Sequence, residues 1–203
     1  MLYPDVAKGL IERANHDLAI RQQLLDAGKL SGGYNPDMEA VHLSNARWLQ
    51  ALIEPIGWPA QEQVGGAASQ AAWLIVQHAI SLPAFMKQAL ALMEAQQRTR
   101  TIDPVNLAFL SDRIAMYSDQ PQLYGTQFVS DEQGRLVPHQ LDGSMDQLNQ
   151  RRRQLGLNTV AERLAELTAQ LTGEQKKPPT TADRQAERES YDAWRRRVGW
   201  ITA

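Results

Sequence analysis

Ala67-Ala68-Ser69-Gln70-Ala71-Ala72-Trp73-Leu74-Ile75-Val76, continuing into Gln77-His78, is apolar on nearly every face of a helix. A helix without a polar stripe needs neighbours on all sides, so this stretch reads as the central helix of a mainly α-helical domain. Upstream, Gly57-Trp58-Pro59 forms a corner, because proline fixes its own φ and biases the preceding residue toward extended conformations. Before the corner, Pro36-Asp37 opens a helix with Met38, Val41, Ala46, Leu49 and Ile53 as its apolar stripe, and Pro55 is expected to end it. Pro4 opens the first helix, whose stripe reads Val6, Leu10, Ala14, Leu18 and Leu24/Leu25 up to Gly28; Gly28 to Asn35 is loop.

Downstream of the central helix, Pro83 starts a helix with Phe85, Ala89, Leu92 and Met93 facing inward. Asp103-Pro104 caps and starts the next, carrying Leu107, Leu110, Ile114 and Met116. Thr126 to Val129 and Leu136-Val137 flank Asp131-Glu132-Gln133-Gly134, a loop with a glycine where a hairpin wants positive φ, which predicts a short β-hairpin near 126–138. Helical spacing returns over Ser144 to Gln154 and again over Thr159 to Leu171, with Gly173 as the stop. The division expected is a helical domain over 1–173 with its hairpin, a linker over 174–182 rich in lysine and proline, and a C-terminal helix over 183–203.

Composition narrows the function classes. The 203 residues are 43% hydrophobic and 22% charged, as in ordinary globular proteins. A formal net charge of −2 removes the general electrostatic attraction to nucleic acid or to an anionic membrane, so neither is expected as a partner. The absence of cysteine excludes disulfides, thiolate metal sites and cysteine nucleophiles. No leader pattern opens the chain and no apolar run reaches the ~20 residues that span a bilayer, so a cytoplasmic location is expected.

Chemistry-bearing residues concentrate in the middle of the chain. Gln77 and His78 end the most apolar helix, where a buried polar group must find a specific partner. His78 is either a hydrogen-bonded helix-end histidine or a proton-transfer residue, imidazole being the side chain that titrates near neutrality. Asp112 and Arg113 lie inside another apolar helix, about 100° apart, and each needs its own partner: internal salt bridges, or an orienting carboxylate and an anion clamp. Gln122-Leu123-Tyr124-Gly125-Thr126-Gln127 groups amides, a phenol and a hydroxyl around a glycine, suited to a polar ligand or to a well-bonded turn.

Other signals are weak. Val64-Gly65-Gly66-Ala67 at a helix start has no Walker lysine after it and reads as close helix packing, so no cofactor is expected. For a metal, His42, His78 and Asp112 are the only plausible set, and without paired-ligand spacing none is expected. His16 and His139 lie in polar surroundings and are expected to be exposed. Arg151-Arg152-Arg153 and Arg195-Arg196-Arg197 spread around their helices and read as solvated. Tyr191, Trp194, Val198 and Trp200 give the C-terminal helix an apolar stripe that docks on the domain or on a second subunit, a candidate homodimer contact.

The ordered set Gly57-Trp58-Pro59, Val76-Gln77-His78, Asp112-Arg113-Ile114, Tyr124-Gly125-Thr126-Gln127 and Arg152 before Gly156-Leu157 resembles an uncharacterised bacterial family defined as a domain of unknown function. The resemblance spans about residues 15 to 170. It implies a mostly helical bacterial domain sharing these polar positions, with no settled activity. His42 departs from it, since similar proteins often carry an acidic residue there.

These readings converge on a pocket for a small polar or anionic ligand. Trp58, Gln77, Arg113, Gln122 and Gln127 would bind it, and His78 would transfer a proton with help from Asp112 or Tyr124 in a hydrolytic or related acid-base step. The competing reading is a non-catalytic protein-interaction module in which the same polar set is a structural network.

Overall fold

In the computed structural model, which describes residues 2–30, 34–171 and 181–202, the chain is mainly α-helical with one antiparallel hairpin. It divides into two units, Met1–Leu107 and Ala108–Ala203.

The first unit is built around the apolar stretch quoted above. Helices α1 (Pro4–Asp26), α2 (Pro36–Ile56), α3 (Gln61–Val64), α4 (Gly66–His78) and α5 (Pro83–Gln96) run in chain order, and α4 packs against the other four. Most of α4 is enclosed, with Ala68, Ala71, Ala72, Ile75, Val76 and Gln77 buried, but not every face as its apolar composition suggests: Ala67 and Gln70 are exposed. Leu10, Leu49, Phe85, Met86 and Met93 complete this core, each worth about 1.5–3 kcal/mol of burial.

Local chemistry sets the boundaries. Asn35 caps α2 by accepting the N–H groups of Asp37 and Met38 at 2.8 and 3.2 Å. Pro55 does not end α2, as its position suggests; the helix runs on to Ile56 and stops at Gly57, whose φ of 72° breaks it. The single turn α3 also escapes a periodicity reading, being only four residues long. On α1 the buried face carries Ala7, Leu10, Ala14, Asp17 and Leu24. Leu18, which the apolar spacing assigns to that face, is 49% exposed, and Asp17 takes the inward position instead.

Helix α6 (Pro104–Tyr117) carries the chain from the first unit into the second. There, β1 (Phe128–Ser130) pairs with β2 (Leu136–Pro138) in the register Phe128↔Pro138, Val129↔Val137, Ser130↔Leu136. Helices α7 (Met145–Gln154), α8 (Val160–Leu171) and α9 (Thr181–Val198) follow. Ser144 and Gln147 form a capping box at the start of α7. The stripe on α9 packs within this unit: Trp200 stacks on Tyr117 at 5.2 Å between ring centroids and Trp194 meets the same ring edge-on at 5.6 Å. Most of the expected linker, and the stop at Gly173, lie outside the described residues.

Candidate functional site

Among the described residues, three helices of the first unit each contribute one residue to a titratable cluster. Asp17 comes from α1, His42 from α2 and His78 from the last position of α4. Asp17 Oδ2 lies 2.9 Å from His78 Nδ1, and His42 Nε2 lies 3.3 Å from each Asp17 oxygen. The imidazole centroids are 4.7 Å apart. Tyr34, just ahead of the α2 cap, places its Oη 2.5 Å from His42 Nδ1.

Exposure grades across the cluster: the side chains of Asp17, His42 and His78 are 1%, 10% and 22% accessible. Burial by itself pushes the Asp17 carboxyl up. Hydrogen bonds from His42 and His78, together with their charge, more than offset it and hold the group far below the ordinary carboxylate range. An ionised carboxylate only accepts, so both imidazoles donate to it, His42 from Nε2 and His78 from Nδ1. In the neutral rings His42 Nδ1 then accepts the Tyr34 hydroxyl. His78 Nε2 carries a lone pair with no hydrogen-bond partner among the described residues.

A groove of about 640 Å³ runs between α1 and α2 one helical turn away, lined in part by Arg13, His16, Asn45 and Trp48. Arg13 holds Asn45 Oδ1 at 3.3 Å and lies over the Trp48 ring at 4.6 Å from its centroid. His16 is exposed there, as its polar surroundings indicate.

The residues singled out from sequence divide between the units. Trp58, Gln77 and His78 belong to the first; Asp112, Arg113, Gln122, Tyr124 and Gln127 belong to the second. Trp58 is 1% exposed beside a smaller hollow of about 140 Å³ that also contacts Gln61 and Asn106. Gln77 is 3% exposed on α4.

In the second unit the polar set binds its own backbone. Asp112 accepts N–H groups from Leu123, Tyr124 and Thr126 at 2.9, 3.2 and 2.9 Å. Burial raises its carboxyl above the ordinary value against the pull of those amides. Gln122 Oε1 accepts the Gln127 N–H at 2.7 Å, and its Nε2 donates to the carbonyls of Gln127 and His139 at 3.0 and 3.2 Å. Arg152, 2% exposed, donates to the carbonyls of Tyr124, Gly125 and Asn158. Arg113 Nε reaches Gln127 Oε1 at 3.2 Å. Asp112 is thus committed to amides of its own unit, and Asp17 is the carboxylate that meets His42 and His78.

Asp17 and Tyr34 are the site residues that sequence reasoning missed. Asp17 had a signal, a carboxylate three residues after Ala14 and seven after Leu10 on the buried face of α1. Tyr34, in a loop, had none.

Residues 4–173 match a family described as a family of unknown function (DUF6624). No curated protein and no solved structure matches.

Proposed function

We propose that this chain, which belongs to the DUF6624 family of unknown function, is an acid-base enzyme acting on a small polar or anionic molecule, with His78 as its proton acceptor. The observation that carries this reading is the 2.9 Å contact between His78 Nδ1 and a carboxylate that is 1% exposed. Asp17 fixes the Nδ1–H tautomer, aims Nε2 outward and stabilises the imidazolium that forms when Nε2 takes a proton. In a hydrolysis, that proton comes from the attacking water and passes to the leaving group. Arg13, held on Trp48 beside the cluster, supports the anionic character of the ligand. A bacterial cytoplasmic setting is part of the same reading.

The test is turnover of p-nitrophenyl acetate, p-nitrophenyl phosphate and bis-p-nitrophenyl phosphate by metal-free protein. His78→Gln is expected to abolish it, and Asp17→Asn to lower kcat by about 10²–10⁴-fold with the fold retained. Undiminished turnover in folded His78→Gln defeats the proposal. Nitrogen NMR gives a second readout, the Nδ1–H form of His78 in the wild type and its loss in Asp17→Asn.

A second reading, favoured by the commitment of Asp112 to three amides, assigns Asp112, Arg113, Gln122, Tyr124 and Gln127 to a structural network within a non-catalytic interaction module. A homodimer through α9 stays part of either reading, although Tyr191 stacks on Trp194 of its own chain at 5.9 Å; a monomer in sedimentation at micromolar concentration removes it.

A further inference from the structure

Going beyond the acid-base reading, we propose that Asp17, His42 and His78 form a binding site for a divalent transition-metal ion of the zinc type. The ligands are an Asp17 carboxylate oxygen, His42 Nε2 and His78 Nδ1. These atoms all lie within 4.8 Å of one another, and the two nitrogen-oxygen separations are 2.9 and 3.3 Å. A tetrahedral ion with ligand bonds of about 2.0–2.1 Å spaces its donors about 3.3 Å apart, so small side-chain adjustments suffice. Two imidazoles and one carboxylate suit zinc, cobalt or ferrous iron better than magnesium or calcium, which take oxygen.

Two further observations point to a cation. Asp17 is a buried carboxylate, and among the described residues no lysine or arginine forms an ion pair with it. A dication at this point compensates the carboxylate where only imidazoles face it. Tyr34 Oη also sits 2.5 Å from His42 Nδ1, the outer nitrogen of a ring that would coordinate through Nε2. Such a partner on the far side of a ligating histidine fixes its tautomer and strengthens it as a ligand.

Loading moves no proton out of the site. His42 shifts its proton from Nε2 to Nδ1 and donates it to Tyr34 Oη, while His78 shifts its proton from Nδ1 to Nε2. The ion then takes the lone pair freed at His78 Nδ1, and the proton moved onto Nε2 occupies the lone pair that the metal-free site offers as a base, so imidazole base and metal are alternative states of one cluster. Three protein ligands leave a position for water, the pattern of reactive rather than purely structural zinc sites.

The test uses the full chain without a histidine tag, stripped by chelator and titrated with Co²⁺ by visible d–d absorption and with Zn²⁺ by calorimetry. One ion per chain is expected, with Kd of roughly micromolar or tighter and tetrahedral-type cobalt bands. Asp17→Asn and His42→Gln should each weaken binding at least about 100-fold, and Tyr34→Phe about 10-fold or more, while exposed His16→Ala leaves it unchanged. Circular dichroism checks each fold, and Tyr34→Phe carries the test where a ligand variant does not fold. No saturable binding, equal binding in folded Asp17→Asn, or loss of binding in His16→Ala overturns the site. Metal binding without His78-dependent turnover in the stripped protein defeats the acid-base reading alone.

Discussion

Asp112 and Gly125 act on the same loop from opposite directions, one by supplying acceptors and the other by leaving room. Asp112 satisfies the amides of Leu123, Tyr124 and Thr126. Asp112→Ala removes that acceptor, and with about 1–3 kcal/mol lost per buried unsatisfied group the expected cost is at least about 3 kcal/mol in urea unfolding. A loss below about 1 kcal/mol would mean that the loop does not depend on the carboxylate. Gly125 has φ of 61°, and a Cβ there would lie 3.1, 3.2 and 3.3 Å from Leu141, Val160 and Leu148 side-chain carbons. Gly125→Ala therefore combines left-handed strain with overpacking, and about 2–4 kcal/mol of destabilisation is expected by the same measurement. His78 was legible as a site residue because a polar group ending an apolar helix demands a partner. Its partner was not, since a contact between positions 17 and 78 depends on how α1 and α4 cross, which spacing along one helix does not encode.

Elements were legible where a start or stop signal coincided with a long apolar period. Pro36, Pro83, Pro104 and Ser144 mark starts within a residue of those observed, and the hairpin follows its glycine turn, with Gly134 at φ of 76°. The misplaced face of α1 has a physical origin: Leu18 and Asp17 both extend the stripe from Ala14, by four and three residues, and hydrophobicity favours the wrong one. At α7 the capping box predicts its own energetics. Ser144 Oγ accepts the Gln147 N–H at 3.3 Å and Gln147 Oε1 accepts the Ser144 N–H at 3.0 Å. Ser144→Ala should cost about 1 kcal/mol and raise amide exchange in the first turn of α7. On α9, Arg195 is 7% exposed and pairs with Asp119 and Asp192, both at 2.6 Å. Its burial departs from the solvated role that a triple-arginine run suggests.

Over the whole chain, stability should weaken in acid chiefly through His139 and Asp17, one in each unit, since the exposed Glu62, Asp131 and Glu162, also held low by hydrogen bonds, are screened by solvent. His139, half-buried with Nε2 lacking a hydrogen-bond partner among the described residues, is held below its ordinary value of 6.5 by burial. Folding thus favours its neutral form, and the contribution is complete above 6.5 and lost as pH falls through the depressed folded value. Asp17 is displaced in the same direction from 3.8, because two imidazoles hold its ionised form. Its contribution is complete above 3.8 and lost as pH falls further, toward the lower folded value. Urea midpoints of stripped protein measured across pH should therefore decline in two stages, a shallow one below neutrality and a steeper one in strong acid. His139→Gln should flatten the first stage alone. Asp17→Asn should lower the neutral-pH stability by about 2–3 kcal/mol and flatten the second. An acid limb that is unchanged in Asp17→Asn would mean that the buried carboxylate is not held ionised by His42 and His78.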